Sequence, residues 1–216
     1  MFTLIDLEDK KIISILFIAI IILAAILRVY KLDQVPPSLS WDETAVGYNA
    51  FTIANFGRDE FNKAFPIYFK SFEDDKHPVH IYFTALAVKL LGLSEFSVRF
   101  PSAFFGLLNV ILIFYLGKSL FKNNIVGLSS AFFLAISPYA VFFSRFNHEL
   151  NFALFFFMLG LLQFLKAADG KIRLLPFSFF SFGICLLTYH PSKVVVPTII
   201  LLLLVLYFKT LLKEKL

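Results

Sequence analysis

The sequence predicts an all-α fold, a polytopic transmembrane helix bundle of about six spans, with interfacial helices in its first outer loop. Three observations carry that prediction. Of 216 residues, 59% are hydrophobic and 16% charged, whereas soluble domains hold roughly 45–50% apolar and about 25% charged residues. Mean hydropathy is +0.80. Apolar segments also recur at close to the about 20 residues that cross a bilayer as a helix. Thirty Phe add bulk to lipid-facing and helix-packing surfaces.

The first span, 12–30, follows Lys10-Lys11 and has no small-residue cleavage site after it, so it reads as a retained helix and not a signal peptide. Pro36-Pro37 then forbid helix until Ser40, which caps a new one. Glu43, three residues on, completes a capping box. Val46, Ala50 and Ile53 repeat at helical spacing and Gly57 ends the stretch, which gives a helix lying on the membrane surface. Residues 78–92 are apolar but short, and His80 and Lys89 interrupt them. They read as a helix in the interface or entering it partway. Spans follow at 98–120, 123–143, 150–167, 172–189 and 193–208. The last three have charge-free cores of only about 15 residues and lean on flanking anchors and snorkelling. The whole chain, 1–216, reads as a single transmembrane domain, and 31–97 as its first extracytoplasmic loop.

Basic residues set the orientation. If 78–92 does not cross, Lys10, Lys11, Lys118, Lys122, Lys166, Lys171, Arg173, Lys209, Lys213 and Lys215 share one side, and the short turns opposite keep Arg145 and Lys193. The positive-inside rule makes the lysine-rich side cytoplasmic, with the N-terminus there. Asp42, Glu43, Glu149 and the four histidines (His77, His80, His148, His190) then fall together on the outer side. Loops collect polar residues anyway. That covers His77 and His80 better than it covers the short turns His148-Glu149 and His190-Pro191-Ser192-Lys193.

Composition and motif exclude several classes. The +5 charge has no aromatic-interleaved basic run, so it argues orientation and not nucleic acid. Cys185 is single, so no internal disulfide forms. There is no phosphate loop and no dinucleotide fingerprint. The scattered His and acids lack tight metal-ligand spacing; no cofactor is fixed, and a divalent cation stays open. A transporter would need charged or broken helices at mid-bilayer. Within the candidates, the Trp41-Asp42-Glu43 turn is both a helix start and a place to fix a general base rigidly. Glu73-Asp74-Asp75-Lys76-His77 reads equally as a solvated loop. Arg145 breaks the charge rule, or anchors the interface. His190 sits at a helix end.

The order of these motifs resembles the multi-spanning, polyprenyl-phosphate-sugar-dependent glycosyltransferases (GT-C type), the group that includes protein O-mannosyltransferases and lipid A aminoarabinose transferases. The resemblance covers roughly 12–206. It rests on Asp42-Glu43 after the first span and Lys76-His77-Pro78 where relatives carry Lys-Pro-Pro. The stretch Gly92-Leu93-Ser94-Glu95-Phe96-Ser97-Val98-Arg99-Phe100-Pro101-Ser102 is the most specific match. Ser137-Pro138, Phe143-Ser144-Arg145 and Tyr189-His190-Pro191-Ser192-Lys193 with Pro197 complete it. Glu149 stands where many relatives have Asp or Asn. Relatives also continue for several hundred further residues, so the likeness is to an N-terminal half.

The resemblance implies sugar transfer from a polyprenyl-phosphate carrier to an extracytoplasmic hydroxyl of a lipid, glycan or protein, with inversion at the sugar carbon. Sidedness agrees, because nucleotide sugars are absent outside the cytoplasm and a donor there must arrive on a lipid. Asp42 is expected as general base, with Glu43 and Glu149 orienting the acceptor. Lys76, Arg145, His190 and Lys193 are expected to compensate the phosphate. Trp41, Asp75, His77, His148 and Tyr189 complete the expected site. The competing expectation is a split or truncated homologue that binds lipid-linked sugar without transferring it, or a partner subunit that a second chain completes.

Overall fold

The computed structural model describes residues 10–71 and 75–213. Glu73, Asp74, Lys215 and the side chain of Lys213, which entered the charge arguments, lie outside the described residues. Among the described residues, nine α-helices follow in chain order: α1 (Lys10–Val29), α2 (Trp41–Phe56), α3 (Pro78–Leu91), α4 (Glu95–Phe121), α5 (Asn124–Ile136), α6 (Pro138–Ser144), α7 (Glu149–Ala168), α8 (Leu175–Leu186) and α9 (Ser192–Lys213). A 3-10 turn, Ile172–Leu174, precedes α8.

Four helices, α1, α4, α7 and α9, are long and apolar enough to cross a membrane, and α5 with α6, bent by 62°, is long and apolar enough as a pair. The chain is a multi-pass membrane bundle. The sixth expected span, 172–189, is short: the turn and α8 together cover Ile172–Leu186, about 22 Å at 1.5 Å per residue against a hydrocarbon core of about 30 Å, and they join the turn at 169–171 to the turn at 187–191 at the opposite end of the bundle. Charge stops it at one end, at Lys171 and Arg173. At the other, the helix ends at Leu186, just before the Thr188–Pro191 turn.

The bend has a plain cause. Pro138 has no N–H and pushes Ser137 out of the helical region, to φ −57°, ψ 120°. The carbonyls of Leu134 and Ala135 thereby lose their helical donors in an apolar setting, where an orphaned carbonyl is costly. Arg28, in the last turn of α1 and fully buried, supplies both: Nη2 donates to Leu134 O and Nη1 to Ala135 O, each at 3.0 Å. Its Nε donates to Ser144 Oγ at 3.2 Å. Gly106 on α4 makes room, since a Cβ there would overlap the Ser144 hydroxyl. Asn151 continues the polar seam, donating to Phe143 O at 2.8 Å, and Asn109 donates to Asn151 O at 3.0 Å. Small residues and side-chain hydrogen bonds are how helices associate where hydrophobic burial offers no net drive.

Apolar packing does the rest. Phe105, Phe152, Phe156, Phe164 and Phe182 join α4, α7 and α8. Phe17 stacks on Phe114 at 4.1 Å between α1 and α4. Val46, Ala50 and Ile53 of α2 pack on Ile81, Ala85 and Val88 of α3, with Phe69 between. Both helices lie across the start of α4, where Gly47 lets α2 approach Val98 closely. As the short, interrupted apolar pattern led one to expect, α3 does not cross the bundle: His77 before it meets His190, and Thr84 in its middle meets Asn147. Residues 30–71 and 75–94 and the turns at 145–148 and 187–191 thus gather at one end, the site end. The turns at 122–123 and 169–171 meet at the other, the lysine end.

Candidate active site

The first turn of α2 is built by its cap. Ser40 Oγ accepts the Glu43 N–H at 3.2 Å, and Glu43 Oε2 accepts the Ser40 N–H at 3.1 Å, the capping box that the sequence predicts. Gly57 ends the helix at φ 66°, a left-handed position that suits glycine. The fold then uses Glu43 again. Its carboxylate is 1% exposed and lies 2.9 Å from Nε of Arg99, which is itself fully buried. Arg99 also donates to Leu32 O at 3.1 Å, to Pro36 O at 2.8 Å and to Ser38 O. Asn147, in the turn before α7, donates its backbone N–H to Glu43 Oε1 at 3.2 Å. The Trp41-Asp42-Glu43 stretch and the 145–149 turn therefore touch.

One residue earlier on the same rigid turn, Asp42 keeps its carboxylate 53% exposed and 2.9 Å from Lys76 Nζ. Lys76 is placed by a short antiparallel bridge, exchanging both backbone hydrogen bonds with Phe69. The same strand end puts the Asp75 carbonyl 3.2 Å from His190 Nε2, and the His77 ring edge-on to His190 with centroids 4.2 Å apart. Tyr189 packs edge-on to His148 at 5.7 Å. His148 caps α7 by accepting the Leu150 N–H at Nδ1, 3.1 Å away. That nitrogen therefore offers Glu149 no proton, although it stands 3.7 Å from Glu149 Oε2. Glu149 is nearly buried, with its other oxygen 3.8 Å from His80 Nε2. Burial drives the His80 imidazole down to about 4, against the pull of Glu149, so it is neutral at pH 7. Its Nδ1 is buried with no hydrogen-bond partner.

The structure thus links Asp42, Glu43, Asp75, Lys76, His77, His148, Glu149, Tyr189 and His190 into one polar patch at the site end. Three expected residues are placed differently. Arg145 spends its guanidinium on the exit of α1, donating to Leu27 O at 3.0 Å, Lys31 O at 3.1 Å and Val35 O at 2.9 Å. Trp41 is 79% exposed and walls a separate cavity of about 680 Å³ with Tyr48, Glu60 and Phe61. Lys193 is exposed in the first turn of α9. Among the described residues, no three of His, Cys, Asp and Glu converge as a metal would need.

Sequence reasoning gave no role to Arg99, Arg28 or Asn147. Arg99 and Arg28 carried the same signal that drew notice to Arg145: a cation beside an apolar segment on the side where the charge rule avoids it. Asn147 carried none, because a backbone N–H has no sequence signature.

Comparison with known proteins agrees with this architecture. The oligosaccharyltransferase of Archaeoglobus fulgidus in its apo form matches with a TM-score of 0.70 at 18% identity, covering 91% of this chain and 26% of that one. The same protein tethered to an acceptor peptide containing the NVT sequon matches with a TM-score of 0.66 at 18% identity, covering 89% and 26%. From Bacillus subtilis (strain 168), "Putative mannosyltransferase YkcB" is 26% identical over 183 residues, 82% of this chain and 24% of that protein. The chain spans about a quarter of the length of the relatives it matches. Its class is that of the GT-C type glycosyltransferases. Residues 75–216 match the family profile, and the chain belongs to the family described as dolichyl-phosphate-mannose-protein mannosyltransferase.

Proposed function

We propose that the chain transfers a sugar from a polyprenyl-phosphate carrier to an acceptor hydroxyl on the extracytoplasmic side, with the lysine end cytoplasmic. The acceptor oxygen bonds to the anomeric carbon, the bond from that carbon to the phosphate oxygen breaks, and the electron pair leaves on the polyprenyl phosphate. The hydroxyl proton passes to the Asp42 carboxylate, and direct displacement inverts the sugar carbon. The observation that carries this reading is the Asp42–Lys76 pair at 2.9 Å, its carboxylate half open to solvent, on a turn that buried Glu43 holds rigid. An arriving phosphate competes for Lys76, and as Lys76 turns to it, Asp42 is released to act as base. Donor binding and base activation are then one event.

Lys76, His190 and Lys193 compensate the leaving phosphate, while Asp75, His77, His148, Tyr189 and Glu149 shape the pocket around it. Trp41 faces the acceptor side. Glu43 and Arg145, whose contacts are internal, position the turn and the α1 exit. The family description, with dolichyl-phosphate-mannose as its donor, supports the lipid-linked sugar. The divalent cation is given no part in these steps.

Transfer from radiolabelled polyprenyl-phosphate mannose tests the assignment: Asp42→Asn is expected to lose about 10²- to 10⁴-fold in turnover while still inserting. Undiminished transfer would remove Asp42 from the base role.

A further inference from the structure

At the lysine end, away from the site already described, a pocket of about 480 Å³ opens between the last turns of α4 and α7 and the first turn of α5. Lys118 reaches it from α4, Lys122 from the turn that follows α4, Lys166 from α7 and Lys171 from the turn that follows α7, beside Asp169. Asp169 is already paired with Lys122. Among the described residues, Lys118, Lys166 and Lys171 meet no carboxylate within ion-pair distance. Four lysines against one aspartate leave the pocket strongly positive.

Membrane orientation alone does not ask for this. Lysines that only mark a side gain nothing by converging, and like charges brought together repel. Here the fold brings them from separate helices around one opening. The lysines are not the whole of the lining. Tyr115 lines the pocket too, 43% exposed, with its ring against Phe17 at 6.0 Å and Phe114 at 5.2 Å. Leu120, Phe121 and Ile125, next in the chain to the lining residues Ser119, Lys122 and Asn124, stand exposed. Cations beside an aromatic ring and exposed apolar side chains suit a phosphate that carries acyl chains, and suit a free phosphate poorly.

We propose that this pocket binds the phosphate head group of an anionic membrane lipid, independently of any transfer reaction. The test is lipid retention on the purified full chain, read by native mass spectrometry during exchange between phosphatidylglycerol and phosphatidylcholine. Wild-type protein keeps one phosphatidylglycerol in preference to phosphatidylcholine, and millimolar inorganic phosphate leaves it in place. The triple change Lys118→Gln, Lys166→Gln, Lys171→Gln weakens retention about 100-fold, at about fivefold per lysine. The same three positions changed to Arg keep the lipid. Lys10→Gln, Lys11→Gln, Lys209→Gln, an equal loss of charge on α1 and α9, keeps it too. Equal retention of both lipids by wild type, equal loss from the two Gln triples, or displacement by inorganic phosphate would each overturn the proposal. Because the wild-type comparison needs no variant, misfolding of a triple mutant leaves the question decidable.

Discussion

Arg99 and Glu43 together decide whether the site exists at all. Taking two ions out of water costs several kcal/mol each, recovered only when geometry and further hydrogen bonds are good. Here both are saturated: Arg99 by a carboxylate and three carbonyls, Glu43 by Arg99 and two backbone amides. Removing one partner strands the other. Arg99→Met is expected to destabilise the chain by about 3–5 kcal/mol, read as a lowered unfolding midpoint in detergent. Arg99→Met combined with Glu43→Gln should recover part of that loss, because no buried charge then remains; simple additivity of the two single losses would contradict the coupling. His80 makes a second prediction of the same kind. The unfolded chain protonates it below about 6.5, whereas the buried ring holds out to about 4. Unfolding therefore takes up a proton between those values, and stability is full at neutral pH, falls as pH drops through that window and levels off below it. The loss is on the order of 3 kcal/mol. A pH series of thermal melts should show it, with the slope flattened in His80→Gln.

Among the elements, the α5–α6 bend is where sequence and structure part most instructively. Residues 123–143 read as one apolar span, and Ser137-Pro138 was noticed only as a motif. The break follows from Pro138 alone, but its tolerance does not: the donor that satisfies the freed carbonyls is Arg28, over a hundred residues earlier. Local chemistry was legible. The Ser40–Glu43 cap and the Gly57 stop follow from residues three or four apart, and the structure has them. Counting charges and turns puts Asp42, Glu149 and His190 on one side, while Lys76 enters only through the family resemblance. Arg99 and Asn147 escaped because their partners lie far along the chain and are mostly backbone atoms, which no side-chain pattern announces. The bend also yields a test. At Gly106 any side chain meets the Ser144 hydroxyl, so Gly106→Val should cost about 1–3 kcal/mol by overpacking. Gly106→Ala should be rescued in part by Ser144→Gly if steric overlap is the cause. Denaturant titration in mixed micelles reads both, and a loss that Ser144→Gly leaves unchanged would assign the cost to something other than this contact.

For the molecule as a whole, function depends on which residues share an end. The contacts already divide the chain: Lys76, Asn147 and His190 gather with α2, while Lys122 and Asp169 meet at the far side of the bundle. What joins that geometry to chemistry is sidedness, since a lipid-carried sugar is required only where nucleotide sugars are absent. The positive-inside rule predicts that the lysine-rich end faces the cytoplasm, and the single cysteine, Cys185, is buried, so introduced thiols report against a low background. Asn62→Cys and Lys193→Cys, at the site end, are expected to react with a membrane-impermeant maleimide in intact cells. Lys122→Cys and Lys171→Cys should react only after permeabilisation. Reaction at all four from outside would break the division into two ends and with it the membrane bundle described here. Reaction in the inverted pattern would keep the bundle but place Asp42 among soluble nucleotide sugars, and the case for a polyprenyl-phosphate donor would then lose its physical basis.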